Sequence, residues 1–346
     1  MSEGCNTGTF ALLKYKSDDP LKDACLELSE LLGVSEEVAS EWVRRVLTLY
    51  PARYPSEIDR THCEIIVHVT QSHRLPHMTN RMGGLLERLT GYPALRRVLD
   101  YGGGGGKDSI LYSRSRYDVT YTDLLGPITD FVRMRFRLRG LSVAVVDVRD
   151  LDETRYDIVN CMDVIEHVYD VEDVLADILS HLRLGGHLLC YPAFFNTWNG
   201  DHVEKNCGYP PFFADMLEAV GMRPESVANV SRSVPGRWLR TLGLRVDPMP
   251  VLHFVRERPE DAPTRERQAL RRELYTLSRD FSTRVACANL VFLPLAALLG
   301  SLPLGRLRAR GAAKADYMLS MAIDNLAIRR LSRHRLTVEA GLRSRG

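Results

Sequence analysis

Five consecutive glycines, Gly102 to Gly106, follow the short run Arg97-Val98-Leu99-Asp100-Tyr101. A backbone without Cβ atoms lets a ligand approach unusually closely, and an acid-ended strand entering such a bend is the pattern of a nucleotide-type site. Spacing decides which kind. A dinucleotide loop places a third glycine or alanine where this chain has Lys107, Asp108 or Ser109, depending on register. A phosphate loop would need glycine at Tyr101 and Ser or Thr at Asp108. Neither phosphate pattern is present. The residues instead spell D-x-G-x-G-x-G, with Asp100, Gly102, Gly104 and Gly106 in register. A flexible glycine linker is the plainer alternative, but a strand pattern abuts one side and a helix-compatible stretch the other.

A nucleoside presents two ribose hydroxyls, and a carboxylate closing a second strand can accept both hydrogen bonds. Asp123, in Thr120-Tyr121-Thr122-Asp123-Leu124, suits that task, although a lone surface aspartate ending a strand has a simpler turn-forming role. A third apolar run ends in Val145-Val146-Asp147-Val148, so acids close three successive strands in order.

These residues resemble the first motifs of the class I S-adenosylmethionine-dependent methyltransferases. The stretches Tyr156 to Val168, Val174 to Leu179 and His181 to Leu189 extend the resemblance across about residues 80–256, towards the branch containing quinone-biosynthesis O-methyltransferases. The resemblance implies an α/β fold: a Rossmann-like methyltransferase sheet with helices on both faces, plus helical N- and C-terminal extensions. It implies S-adenosylmethionine as cofactor, which carries a sulfonium and an amino-acid tail but no phosphate. The implied cofactor contacts are Asp100, Tyr101, Gly102, Gly104, Gly106, Asp123, Leu124, Asp147, Val148, Met162 and Asp163. In that family Asp147 would meet the adenine amino group, while Leu124 and Val148 sandwich the ring.

Methyl transfer from sulfonium is an in-line displacement, so much of the catalysis comes from holding the acceptor at attack distance. A protonated oxygen or nitrogen acceptor also calls for a base, and an imidazole suits neutral pH. His167 is the first candidate, and His202, in the segment after the fifth strand, is the second; either could equally be a structural hydrogen-bonding residue. Asp163, Glu166 and His167 also resemble part of the E-x-x-E-H metal site of some relatives, with Asp163 in place of the first glutamate and His202 as a fourth donor. A divalent metal is kept as the weaker alternative and no metal ligands are assigned. The upstream set His62, Cys63, His68, His73 and His77 is weaker still, because Pro76 breaks its spacing. Tyr191, Phe194, Phe195, Trp198 and Tyr209 cluster where an acceptor pocket would be walled, or pack an ordinary core.

The elements that must position these residues are legible in outline. Residues 20–50 read as two amphipathic helices, the second N-capped by Ser35. Strands are predicted at Val98–Asp100, Asp118–Thr122, Ser142–Val146, Asp157–Met162, His187–Tyr191 and Leu252–Val255, with Gly185-Gly186 turning into the fifth. Helices are predicted at Lys107–Ser115, Ile128–Leu138, Val171–Leu182 and Pro211–Val220. Alternation of this kind builds a parallel sheet with one ligand-binding edge. Three regions follow: a helical N-terminal lid over 1–78, the cofactor-binding domain over 79–258, and a helical C-terminal extension over 259–346.

The chain has 346 residues, 45% hydrophobic and 26% charged, the composition of an ordinary globular protein. Its seven scattered cysteines form no C-x-x-C pair and no secretory pattern opens the chain, so a reducing, cytoplasmic compartment is expected. Residues 259–346 carry 16 Lys or Arg against 8 Asp or Glu, a surface that could face an anionic substrate, RNA or lipid headgroups, or only solvent. The uncharged Val285–Gly305 is long enough to span a bilayer, but Asn289, Pro294 and Pro303 favour a buried helix, peripheral membrane contact or a homodimer face. No feature calls for DNA. A small-molecule acceptor is the leading expectation. Its rivals are RNA methylation, cofactor cyclisation or aminopropyl transfer releasing methylthioadenosine, and a non-catalytic binding protein.

Overall fold

A computed structural model describes residues 20–49, 54–74, 89, 92, 94–192, 202, 203, 206, 209, 213–228, 251–257, 268–277 and 290. Phe194, Phe195, Trp198, His77, nearly all of Val285–Gly305 and both predicted domain boundaries lie outside them. Among the described residues the strands are β1 (Arg97–Tyr101), β2 (Asp118–Asp123), β3 (Ala144–Asp147), β4 (Tyr156–Met162), β5 (Leu182–Tyr191), β6 (Met222–Ala228) and β7 (Val251–Arg256). Neighbouring strands run β3-β2-β1 in the first part of the chain and β4-β5-β7-β6 in the second. Helices among the described residues include α1 (Pro20–Leu32), α2 (Glu36–Leu49), α3 (Arg60–Arg74), α4 (Lys107–Arg114), α5 (Pro127–Leu138), α6 (Val171–Ser180) and α7 (Phe213–Ala219). The chain divides into two compact units, Met1–Thr154 and Arg155–Gly346.

In the first unit β2 pairs in parallel with β1 and with β3, bringing Asp123 level with Asp147. Helices α1, α2 and α3 pack on one another, and α1 and α3 pack on α5. Ala24 and Leu28 of α1, Val43 and Val46 of α2, and Ile66 and Val69 of α3 share a buried core with Tyr121 of β2 and Phe131, Val132 and Phe136 of α5. The helical spacing of apolar residues therefore serves a common interior with the glycine-bearing layer. Ser35 accepts a hydrogen bond from the Val38 amide at 3.4 Å, at the start of α2.

The second unit departs from the predicted parallel sheet. β4 and β5 are parallel, but β7 runs antiparallel to both β5 and β6. β6 carries Arg223, Pro224 and Glu225, which hide it from a search for apolar runs; it is an edge strand, where a missing ladder donor is tolerated. Gly185-Gly186 lies inside β5 and not before it. The pairing jumps from Tyr156↔Leu182 to Ile158↔His187, and a Cβ on Gly186 would meet the Arg183 carbonyl oxygen at 2.8 Å. The irregularity starts β5 at Leu182, so α6 stops at Ser180 and not at Leu182.

His187 of β5 and His253 of β7 are buried together, Nδ1 to Nε2 at 2.8 Å. Burial holds His187 below the ordinary imidazole value, opposed by the Glu225 and Asp157 charges and aided by Arg183 and Arg223. The unfolded chain takes up that proton near pH ~6.5, so stability is complete above that pH and declines as pH falls below it. Thermal unfolding at about pH 7.5 and about pH 5.5 should show the decline, and H187L/H253L should flatten it. An unchanged slope in the double variant would assign the effect to other groups.

Candidate functional site

Each unit carries part of the predicted constellation. In the first, the glycine bend is built by its surroundings. The Gly102 and Gly103 amides both donate to the Thr122 carbonyl, at 2.9 and 3.2 Å, and the Gly106 amide donates to Gly103 at 2.9 Å. Gly102, Gly104 and Gly106 have φ of 67°, 50° and 72°, the left-handed region where glycine avoids a Cβ penalty. A Cβ at Gly103 would sit 2.5 Å from the Tyr121 ring, and one at Gly105 would sit 2.8 Å from the His68 carbonyl oxygen of α3. The run of glycines is thus a requirement of close packing on both sides.

The acids around the bend have different partners. Asp100 is buried and accepts from the Ser109 hydroxyl at 2.6 Å, tying β1 to α4. Asp123 is half-buried and accepts from the Gly104 amide at 2.9 Å and the Leu124 amide at 2.8 Å. Tyr121 donates its phenol to the Gly104 carbonyl at 2.8 Å; burial first, and then the Asp123 charge, push that phenol far above its ordinary value and keep it a donor. Leu124 beyond the strand is 64% exposed, an apolar surface at the strand end.

Asp147 is bonded within the protein through both oxygens. Its Oδ1 accepts from the Arg149 amide at 2.8 Å and Nε at 2.9 Å, and Oδ2 accepts from Arg149 Nη2 at 2.5 Å and the Leu125 amide at 3.4 Å. Hydrogen bonding to Arg149 holds this carboxyl well below the usual carboxylate range. It caps the 3-10 turn Val148–Asp150, and its acceptor positions are engaged within the protein. Tyr101 is buried, and Val148 is half-buried at the start of that turn.

In the second unit β4 delivers Met162 and Asp163, both half-buried, to its C-terminal end. Asp163 has φ of 61°, uncommon for a residue with a side chain, and its amide donates to the Tyr191 carbonyl at 3.0 Å. The short turn Ile165–His167 follows, with Glu166 fully buried and His167 exposed. The segment after β5 is fastened back onto it. Val203 donates its amide to the Glu166 carbonyl at 3.0 Å, the Asn206 side-chain amide donates to the Val168 carbonyl at 2.8 Å, and the Tyr209 phenol donates to Glu172 at 2.6 Å. His202 is thereby placed beside His167, ring centroids 4.5 Å apart and edge to face.

Ligand atoms of Asp163, Glu166, His167 and His202 all lie within 4.8 Å of one another, forming among the described residues a group able to hold a metal ion. Two carboxylates and two imidazoles are the hard-oxygen and nitrogen donors of Mg²⁺, Mn²⁺ or Zn²⁺ sites. These are the same four residues that the sequence offers, through a resemblance, as the weaker metal alternative, and the side chains bring their ligand atoms together although His202 comes from a different segment. Among the described residues, the upstream His62, Cys63 and His68 form no such group. Cys63 is fully buried with its thiol against the Ile58 carbonyl, His62 stacks on Trp42, and His68 borders Gly104.

A methyltransferase-domain family model matches residues 73–220. A ubiquinone biosynthesis O-methyltransferase of Xanthomonas axonopodis pv. citri is 36% identical over 160 residues, covering 40% of this chain and 67% of that protein. The chain belongs to the class I S-adenosylmethionine-dependent methyltransferases. A protein of the same description from Bordetella avium is 34% identical over 119 residues, 33% of this chain and 47% of that one. The chain spans about half the length of several such relatives. Among solved structures, magnesium protoporphyrin IX methyltransferase from Synechocystis PCC 6803 with bound S-adenosylmethionine has 16% identity and a TM-score of 0.39, covering 70% of this chain and 100% of that one. Within this methyltransferase, the stretch matched by the family model contains both the glycine bend and the four-donor group.

The packing around the bend gives a direct test. Gly105→Ala places a methyl group against the α3 backbone and should destabilise the protein by about 1–3 kcal/mol in urea unfolding. A neutral effect would mean that α3 yields and does not define the bend.

Proposed function

We propose that this chain transfers a methyl group from S-adenosylmethionine to an oxygen of a small-molecule acceptor. The observation that carries the cofactor half is the bend whose glycines admit no Cβ, bordered by Asp123 and the exposed Leu124. The residues fit an adenosyl ligand. Asp123 takes two amides, with the Tyr121 phenol also 3.4 Å from Oδ2, and a carboxylate has about four acceptor positions, so capacity remains for a ribose hydroxyl. Leu124 offers an apolar face to a purine ring. Bound there, the cofactor supplies an electrophilic methyl on sulfur, and the protein's task is to orient an acceptor in line with it.

The acceptor half rests on Asp163, Glu166, His167 and His202. Such a donor group suits a divalent cation, whose chemistry when bound is to draw in acceptor oxygens and favour their deprotonated form. In that reading both imidazoles act as ligands and the buried Glu166 compensates the cation's charge. In the reading without a cation, exposed His167 accepts the acceptor's proton and His202 orients it edge to face. The gathering of four donors favours the first. Oxygen as the methylated atom is supported by the hard character of these donors and by the similarity to O-methyltransferases.

S-adenosylhomocysteine titrated calorimetrically is expected to bind, and Asp123→Ala to weaken that binding about tenfold or more with little change in the far-ultraviolet spectrum. No heat from the wild-type protein at ligand concentrations on the order of millimolar would sink the cofactor assignment. For the cation, Mn²⁺ should bind the wild-type protein and bind H202A far more weakly, as read by electron paramagnetic resonance. Equal Mn²⁺ binding by both would discard the cation and leave His167 as base.

A further inference from the structure

Glu27 of α1 is wholly buried and faces two arginines one turn apart, Arg135 in α5 and Arg139 at its C-cap. Arg135 donates through Nε to Glu27 Oε2 at 2.8 Å, and Arg139 donates through its own Nε to Oε1. All three side chains are at most 3% exposed. The Arg135 guanidinium also continues past the ion pair. Its Nη1 donates to the Gly105 carbonyl at 2.5 Å, inside the glycine bend.

Buried ion clusters of this kind roughly break even against apolar packing, because desolvating the charges offsets their attraction. Stability alone therefore does not account for this one. What it does that leucines could not is aim a charge-assisted N–H at a particular carbonyl. That bond fixes the Gly105–Gly106 peptide, while Tyr121 and Asp123 fix the carbonyl and amide of Gly104. Glu27 in turn fixes the rotation of the guanidinium, since its two oxygens take Nε from each arginine.

We infer that Glu27 and Arg135 are positioning residues for the cofactor: the N-terminal helices hold the glycine bend in its ligand-receiving shape through a buried Glu27–Arg135–Gly105 relay. The inference rests on the reading that this bend receives S-adenosylmethionine. It gives the N-terminal helices a defined task, which is to shape the bend from beneath.

Arg135→Lys keeps the charge but cannot reach Glu27 and Gly105 with a planar fork, and Glu27→Gln keeps the volume while removing the charge. Val43→Ala, in the core of α2, loosens the same helical layer without touching the relay. In the full chain, R135K and E27Q should bind S-adenosylhomocysteine about tenfold more weakly and exchange amide hydrogens faster in a peptide covering residues 102–106. V43A, measured where it is equally folded, should bind within about threefold of the wild type. If E27Q fails to fold, R135K carries the test alone. R135K that binds like the wild type with unchanged exchange at the bend overturns the inference, as does V43A weakening binding as much as R135K. Absence of binding by the wild type would instead remove the cofactor reading, with faster exchange in R135K still supporting the mechanical relay.

Discussion

Five glycines in a row lose more conformational freedom on ordering than any other five residues, so the bend at Gly102–Gly106 takes its shape from its neighbours. Strand β2 supplies much of that shape: the Thr122 carbonyl takes two amides, the Tyr121 phenol takes a carbonyl, and Asp123 takes the Gly104 amide. From the other side come the Arg135 guanidinium, the α3 backbone at His68 and the side chains of Val132 and Phe136 beneath Gly106. The low intrinsic order of polyglycine and its tight enclosure are two aspects of one solution. Only a backbone without side chains fits the space, and only that space holds such a backbone in one conformation.

The same economy creates a division of labour among the acids. Asp123 braces the bend with part of its acceptor capacity and keeps the rest at the strand end. Asp147, level with it on β3, is fully taken up by Arg149 and the Leu125 amide. An adenine amino group could reach Asp147 only by displacing Arg149, whose side chain is 70% exposed and so free of tight packing. In the proposed reading the ribose end of the binding surface is built in advance, and the base end requires a side chain to move. Affinity for the adenosyl part would then carry a reorganisation cost that the ribose contacts do not.

Strands β1 to β5 were visible in the sequence because each is a short apolar run beside turn residues, and the D-x-G-x-G-x-G spacing separated the bend from phosphate loops before any coordinates. Pattern fails where the determining contact is distant or polar. β6 escaped notice because Arg223, Pro224 and Glu225 read as a loop, and its antiparallel pairing with β7 has no local signature. The irregularity in β5 looked like a turn, since Gly185-Gly186 serves either. Glu27 and Arg135 are 108 residues apart and each looks like a solvated charge on an amphipathic helix; nothing short of tertiary packing reveals that both are buried. The role expected of Asp147 rests on resemblance, and its pairing with the arginine two residues on has no signature in that resemblance.

The donor group after β4 poses an electrostatic problem. Asp163 and the fully buried Glu166 bring two carboxylates within 4.8 Å of each other and of two imidazoles, and like charges that close repel more strongly as water is removed. The backbone bears a cost too, with Asp163 held in the left-handed region and the following turn pinned by Val203 and Asn206. A purely structural turn would gain nothing from assembling these side chains, since apolar residues or a glycine at 163 would relieve both penalties. A divalent cation answers the charge, uses the lone pairs of all four side chains and gives a reason for His202 to be delivered from a separate segment. Proton abstraction by His167 would explain one of the four residues; charge compensation by a cation, as proposed, would explain their assembly.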